Sequence, residues 1–234
     1  MKKIGIIISL IVGVTACNPS QNVDSPKLRR EVENRKIRQI HEPEILEKAL
    51  TIGSEVCSIT EKILGKALKT KIQEKGIGEA ISFCNTSASP LIQQVESKYH
   101  LSIKRVSLKN RNKANIPTEL EAKLLDSYLY NWENKIESTE NIHKNGDEYI
   151  YVKPIYVKEL CLNCHGDLET NITPENHEKL KELYPNDLAT GYKTGDLRGM
   201  WSIVLKKKDV VLAISENQWM NKKLRNPRTK SEEK

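Results

Sequence analysis

Stretches with apolar residues at helical spacing dominate the first half of the chain, and stretches in which they alternate appear later. Ile45, Ala49, Ile52, Val56, Ile59, Ile63 and Ala67 share one helical face, which predicts a long amphipathic helix from Glu42. Gly76 and Gly78 break it. A second helix carries Ala80, Ile81, Cys84, Ala88, Leu91 and Val95 on one side, and Pro90 ends or kinks it. LSIKRVSL (101–108) alternates as a strand, and KNRNKANIP (109–117) is loop. Helical period returns over 118–137 with Leu120, Leu124, Leu125, Tyr128, Leu129, Trp132 and Ile136. NGD (145–147) is a turn. EYIYVKPIYV (148–157) reads as a strand that Pro154 restricts to an edge or a break. A short helix follows over 173–185, with Thr173 as N-cap and Pro174 at its first position. RGMWSIVLKK (198–207) is another strand, whereas 209–224 fits either helix or strand. Helices first and an antiparallel sheet after predict an α+β fold.

The first residues set a compartment. MKKIGIIISLIVGVTAC places Lys2 and Lys3 before an apolar run, Ile4 to Val14, that is too short to span a bilayer. Small residues lead to Cys17, the pattern of a bacterial lipobox. Residues 1–16 read as a lipoprotein signal peptide and Cys17 as the lipidated first residue of the mature chain. The protein is thus expected to be exported, facing the periplasm and held to the membrane by its lipid anchor alone. Residues 17–41 are a polar tether, 42–215 the folded domain, and 216–234 a charged tail expected to be disordered. The net charge of +7, which falls to +5 when Lys2 and Lys3 leave with the signal peptide, then serves anionic surfaces, and nucleic acid is excluded as a partner by the compartment. One Phe and three Trp predict a core of aliphatic residues and Tyr.

Within that frame CLNCHG (161–166) carries the chemistry. A structural zinc site wants a second ligand pair, which would have to come from Cys57, Cys84 or scattered histidines. A thioredoxin-like dithiol wants a helix directly after the motif, but GDLETNITP breaks into loop, and His165 would have no task. Covalent haem uses all three residues. Cys161 and Cys164 add to the porphyrin vinyl groups, and His165 becomes the proximal axial ligand. The expected cofactor is haem c.

The residues alone leave the second axial position open. His41, His100, His143 and His177 lie in polar runs, and Met200 and Met220 suit a core as well as a metal. Cys84, on the apolar side of the second helix, fits a ligand or a disulfide to Cys57 equally well. Lys104, Arg105, Lys109, Arg111 and Arg198 are candidates for the haem propionates.

Four blocks in order, GEAISFCNTSA, IKRVSLKNRNKANIP, YVKPIYVKELCLNCHG and GYKTGDLRGMWSIVL, resemble the PAS-like single-haem c-type cytochromes, whose founding cyanobacterial structure has Cys/His-ligated haem c. The resemblance covers about residues 45–214. It implies a PAS-like antiparallel sheet with the long N-terminal helices packed on it, and it implies Cys84 as the distal axial ligand. One departure is visible: the family's loop reads Arg-Asn-Pro, and here Arg111 and Asn112 precede Lys113, which weakens the assignment of Arg111 to a propionate.

A thiolate ligand stabilises ferric iron and lowers the reduction potential. Its departure on reduction would open the iron to CO or NO. The expected function is therefore redox or gas sensing, or electron transfer, with no catalytic residue and with a separate redox or signalling protein as partner. A small peroxidase-like haem enzyme and a haem-free zinc or disulfide lipoprotein are the alternatives.

Overall fold

Helix α1 (Glu42–Thr86) begins where the periodicity predicts, with Glu42 and Glu44 in its first turn, where negative charge meets the helix dipole. In the computed structural model, which describes residues 40–225 and their side chains through residue 216, these residues fall in a unit that starts at Ile40. Ile45, Ala49, Val56 and Cys57 are buried, and burial fades after Thr60. Gly76 breaks the helix with φ 80° and ψ 178°, a conformation that strains any side-chain-bearing residue. The second leg ends at Ser87, and α2 (Ala88–Tyr99) follows. Pro90 sits in the first turn of α2, where its missing N–H costs nothing. The interruption it was expected to cause lies just before it.

Four strands form one antiparallel sheet in the order β1-β4-β3-β2: β1 (Ser102–Val106), β2 (Asn141–Asn145), β3 (Glu148–Tyr156) and β4 (Leu197–Lys206). Helix α3 (Glu119–Glu133) lies between β1 and β2, shorter than the predicted 118–137. A one-turn helix α4 (Leu162–His165) and α5 (Pro174–Leu183) separate β3 from β4, and α6 (Lys207–Arg225) closes the described chain. The turn at Gly146, φ 61°, joins β2 to β3 as a hairpin. The hydrophobic pattern gives no sign of β2, because NIHKN is a polar edge strand with one apolar residue turned to the core. β3, by contrast, is an inner strand despite Pro154. Its pairing with β2 stops at Val152, so at Pro154 one side of β3 is free and no partner needs the missing N–H.

Strand alternation divides the core. Ile103, Tyr149, Tyr151, Trp201, Ile203 and Leu205 face α1, α2 and α6, where they meet Val56, Cys57, Val95, Val210 and Ile214. On the opposite face Val106, Ile150, Val152 and Met200 lie under Leu125 and Tyr128 of α3. The fold is α+β, with the long N-terminal helices packed on an antiparallel sheet.

The ambiguous segment 209–224 is helix. Val210 and Ile214, four residues apart, are buried while Leu212 is exposed, a one-faced helical pattern. Residues 216–225, expected in a disordered tail, continue that helix. Residues 226–234, the signal peptide, Cys17 and most of the tether lie outside the described residues. Among the described residues no helix is long and apolar enough to cross a membrane.

Candidate functional site

The CLNCHG segment leaves β3 through a 3-10 turn, Glu159–Cys161, and passes directly into α4. Cys161, Cys164 and His165 therefore share one tight helical turn. Gly166 ends it: its N–H bonds Leu162 O at 2.9 Å, and a Cβ there would lie 2.5 Å from Asn171 Oδ1. The turn is strapped to residues 189–192. Gly191 N–H donates to Gly166 O (2.8 Å) and Tyr192 N–H to His165 O (3.0 Å). His165 Nδ1 lies 2.7 Å from the Ala189 carbonyl oxygen. A carbonyl only accepts, so Nδ1 carries the proton and Nε2 keeps its lone pair. Burial, with the charges of Arg111 and Arg198, holds the imidazole well below the usual histidine pKa and so neutral. The Tyr192 ring meets His165 edge-on at 6.5 Å between centroids.

Cys84 reaches this turn from α1. Beyond Gly76 the second leg lies on α5, where Ile77 and Ile81 pack with Leu180, Leu183, Tyr184 and Cys164. Asn85 Nδ2 donates to Leu183 O at 3.2 Å, and Glu79 pairs with Lys179 at 3.1 Å. The Cys84 thiol is accessible, yet the surrounding walls push its pKa up against the opposing charges of Arg105 and Arg111. Cys164 is pushed up to about 11, chiefly by burial; Arg111 opposes the shift and the charge of Cys84 adds to it. The two cysteines thus lie within electrostatic reach of each other. Cys57 lies elsewhere, fully buried between α1 and the sheet, its thiol pushed up to about 12 mainly by burial. All four described cysteines are free, so the Cys57–Cys84 bridge is not formed.

Three arginines surround the turn. Arg111 donates through Nε to Asp187 Oδ2 (2.9 Å) and through Nη2 to Cys164 O (2.6 Å), which makes it a brace for the turn. Arg105 stands directly opposite Trp201 across β1 and β4, its guanidinium 5.8 Å from that ring. Arg198 lies 5.3 Å from the Tyr192 ring and donates through Nη1 to Ser107 Oγ (2.7 Å) and Lys109 O (3.0 Å). Arg105 Nε and Arg198 Nε are buried with no partner among the described residues. Buried donors on cations without acceptors are costly, so an anionic group beside either one would be favoured.

A family model described as Tll0287-like matches residues 29–205. The chain belongs to the Tll0287-like family. In fold it is similar to the solved structure titled "Crystal structure of the cyanobacterial heme-protein Tll0287", with a TM-score of 0.51 and 22% identity, covering 68% of this chain and 94% of that one. No curated protein matches. Cys84, Arg105, Cys161, Cys164, His165 and Arg198 all lie within the span matched to the Tll0287-like family.

The other sequence candidates of this Tll0287-like chain fall elsewhere. His41 precedes α1, His100 caps α2, His143 lies in β2 and His177 in α5. Met200 is core beneath α3, and the side chain of Met220 lies outside the described residues. Lys104 is on the far face of the sheet, 3.6 Å from Glu121, whereas Lys109 does stay beside the site, its Nζ donating to Thr190 O of the strap at 2.9 Å. Among the described residues no group of three or more His, Cys, Asp or Glu is placed to hold a metal ion. Sequence reasoning missed the Ala189 carbonyl, since any residue offers one and it lies 24 positions from His165. It also missed Tyr184 and Tyr192, whose residue type alone carries no mark of a site.

Proposed function

We propose that this chain is an exported c-type haem protein working in redox or gas sensing or in electron transfer, without substrate turnover of its own. Cys161 and Cys164 would hold the haem through thioether bonds, and His165 Nε2 and Cys84 are the residues that would hold its iron. The observation that carries the reading is the His165 Nδ1–Ala189 bond, which leaves Nε2 free for a metal in the same turn as two free thiols. The unpartnered Nε atoms of Arg105 and Arg198 would offer charge-assisted donors to the propionates of a haem. Membership of the Tll0287-like family, with a fold shared with a cyanobacterial heme-protein, adds to this support.

When bound, haem would supply a one-electron iron couple and a metal at which a small gas could bind. The chain's own residues do the tuning. The Ala189 carbonyl orients the imidazole and raises its basicity. Arg111 steadies the Cys164 carbonyl, and a thiolate at Cys84 would lower the potential. The PAS-like description of the sheet belongs to the same reading. So does the placement: residues 1–16 are removed, Cys17 is acylated, and the domain 42–215 faces the periplasm on its tether. A separate redox or signalling protein is the partner.

The test is expression in a host that matures c-type cytochromes, followed by a pyridine haemochrome spectrum and intact mass. A covalent haem on a peptide containing Cys161 and Cys164 is expected. Colourless protein from a host shown to mature other such cytochromes would overturn the reading. Acylation is tested by the mass of the mature N-terminus, which Cys17→Ala should change.

A further inference from the structure

We propose that the outward face of α1 between Lys62 and Gln73 is a contact surface for the anionic headgroups of a phospholipid bilayer. At 100° per residue Lys62, Lys66, Lys69 and Gln73 fall on one line along this helix, and all four are exposed. Gly65 and Ile63 flank the line. A Cβ at Gly65 would meet nothing within 4 Å, and Ile63 is 37% exposed, so no neighbouring element among the described residues covers the helix there. Leu68 and Ile72 of the same turns are half-buried and belong to none of the core clusters. This part of α1 has left the body that buries Val56 and Cys57.

The charge on this face is uncompensated. From Lys62 to Lys75 the helix carries Lys62, Lys66, Lys69, Lys71 and Lys75 against one acid, Glu74. Among the described residues none of these lysines has an ion pair or a side-chain hydrogen bond. Glu61, just before them, is taken by Lys153 at 2.9 Å. The next acid on the line of lysines is Glu55, about 10 Å towards the start of the helix. Three cations on one exposed line, with no acid beside them, set up a local positive potential. The partner that complements it is extended and densely anionic. A bilayer with anionic headgroups is both, and each lysine held near such a surface strengthens binding by about fivefold. Ile63 and Ile72, on either side of the line, are placed to enter the headgroup region.

This surface is independent of the haem reading: Cys84 lies on the second leg of α1, beyond the break at Gly76. It rests on the lipid anchor only for its strength. With Cys17 in the bilayer, the tether of residues 17–41 makes the contact intramolecular, and a weak attraction is then enough to seat the domain.

The full mature chain from the cytochrome-maturing host is added to preformed vesicles of phosphatidylcholine, or of phosphatidylcholine mixed with phosphatidylglycerol. Acetylation by a membrane-impermeant reagent, read by peptide mass spectrometry, reports each lysine. Lys62, Lys66 and Lys69 should react about tenfold or more slowly on the anionic vesicles, and high salt should abolish the difference. Lys123 on α3, across the sheet, should react alike on both. The double variant Lys66→Glu, Lys69→Glu changes only exposed side chains and should return Lys62 to its rate on phosphatidylcholine. Equal rates on the two vesicles overturn the proposal. So does equal slowing on both, which would mean that a second copy covers the face, and so does slowing by millimolar inorganic phosphate on phosphatidylcholine, which would mark a site for free anions. The anchor is read separately: chain that washes off phosphatidylcholine defeats the lipoprotein reading, while the footprint on anionic vesicles still decides this one.

Discussion

The protonated Nδ1 of His165 sits 2.7 Å from the carbonyl oxygen of Ala189, and that residue in turn is held by Arg111 and Asp187. Asp187 Oδ1 accepts the Ala189 N–H at 2.8 Å, and Arg111 bridges Asp187 to the Cys164 carbonyl. The orientation of one imidazole thus depends on a pair with only 12% and 11% of its side-chain surface exposed.

Arg111→Gln should destabilise the chain by about 2–4 kcal/mol, because it leaves Asp187 largely buried without its cation and the Cys164 carbonyl without a donor. Urea unfolding of both proteins checks it. A change within error would mean that water replaces the brace at little cost.

Cys84→Ser and Cys57→Ala separate the ligand from the bystander. The first should change the visible spectrum of the haem-loaded protein and raise its potential, since a neutral hydroxyl replaces a thiolate. The second should leave both as in wild type. An unchanged potential in Cys84→Ser removes Cys84 from the iron.

Native-state alkylation should spare Cys57. Its thiol is fully buried and pushed up to about 12, so little thiolate exists near neutral pH and reagent cannot reach it. Iodoacetamide followed by peptide mass spectrometry should find Cys57 modified only after unfolding. Modification at native rates would show that α1 opens away from the sheet.

Gly53 and Gly65 lie on the same helix and should respond oppositely to alanine. A Cβ at Gly53 would lie 2.4 Å from Tyr151 Cγ, and Tyr151 is fully buried with its hydroxyl on Glu140. Overpacking of roughly 1–3 kcal/mol exceeds the ~1 kcal/mol helix preference for alanine, so Gly53→Ala should lower stability. A Cβ at Gly65 meets nothing within 4 Å, and Gly65→Ala should raise it by roughly 0.5–1 kcal/mol. Thermal melts of the two variants decide.

Glu121 should make stability fall in acid. Burial alone would raise its pKa, but Thr118 N–H, the Ser202 hydroxyl and Lys104 outweigh that and hold it below the ordinary value. Its contribution is full above the unfolded carboxyl value of about 4.3 and fades as pH drops through the lower folded value. Glu121→Gln should therefore be less stable at neutral pH by about 1–3 kcal/mol, with the gap narrowing below pH ~4. Denaturant titrations across pH follow the gap; one that widens in acid contradicts the assignment.

What the sequence disclosed follows from how strongly each element marks itself. The α1 face from Ile45 to Val56, the break at Gly76, the capped helix after Thr173 and the strands around Tyr149 and Trp201 rest on local periodicity and backbone chemistry, which any reader of the chain can find. β2 was hidden because an edge strand made of Asn, His and Lys needs no pattern; its partner supplies the structure. Pro154 misled because proline removes one N–H from one side only, and which side is free depends on where a neighbouring strand ends. The CLNCHG segment stood out by its side chains, two thiols and an imidazole within five residues. The carbonyl that orients its histidine did not, since backbone acceptors carry no residue signature.

The bend at Gly76 splits α1 into two mechanical parts. The first is bonded into the interior through Ala49, Val56 and Cys57, whereas the second rides on α5 through Ile77, Ile81 and Asn85. Cys84 is mounted on the second. A displacement of α5 is therefore delivered to that sulfur as by a short lever, while the sheet and its packed residues stay in place.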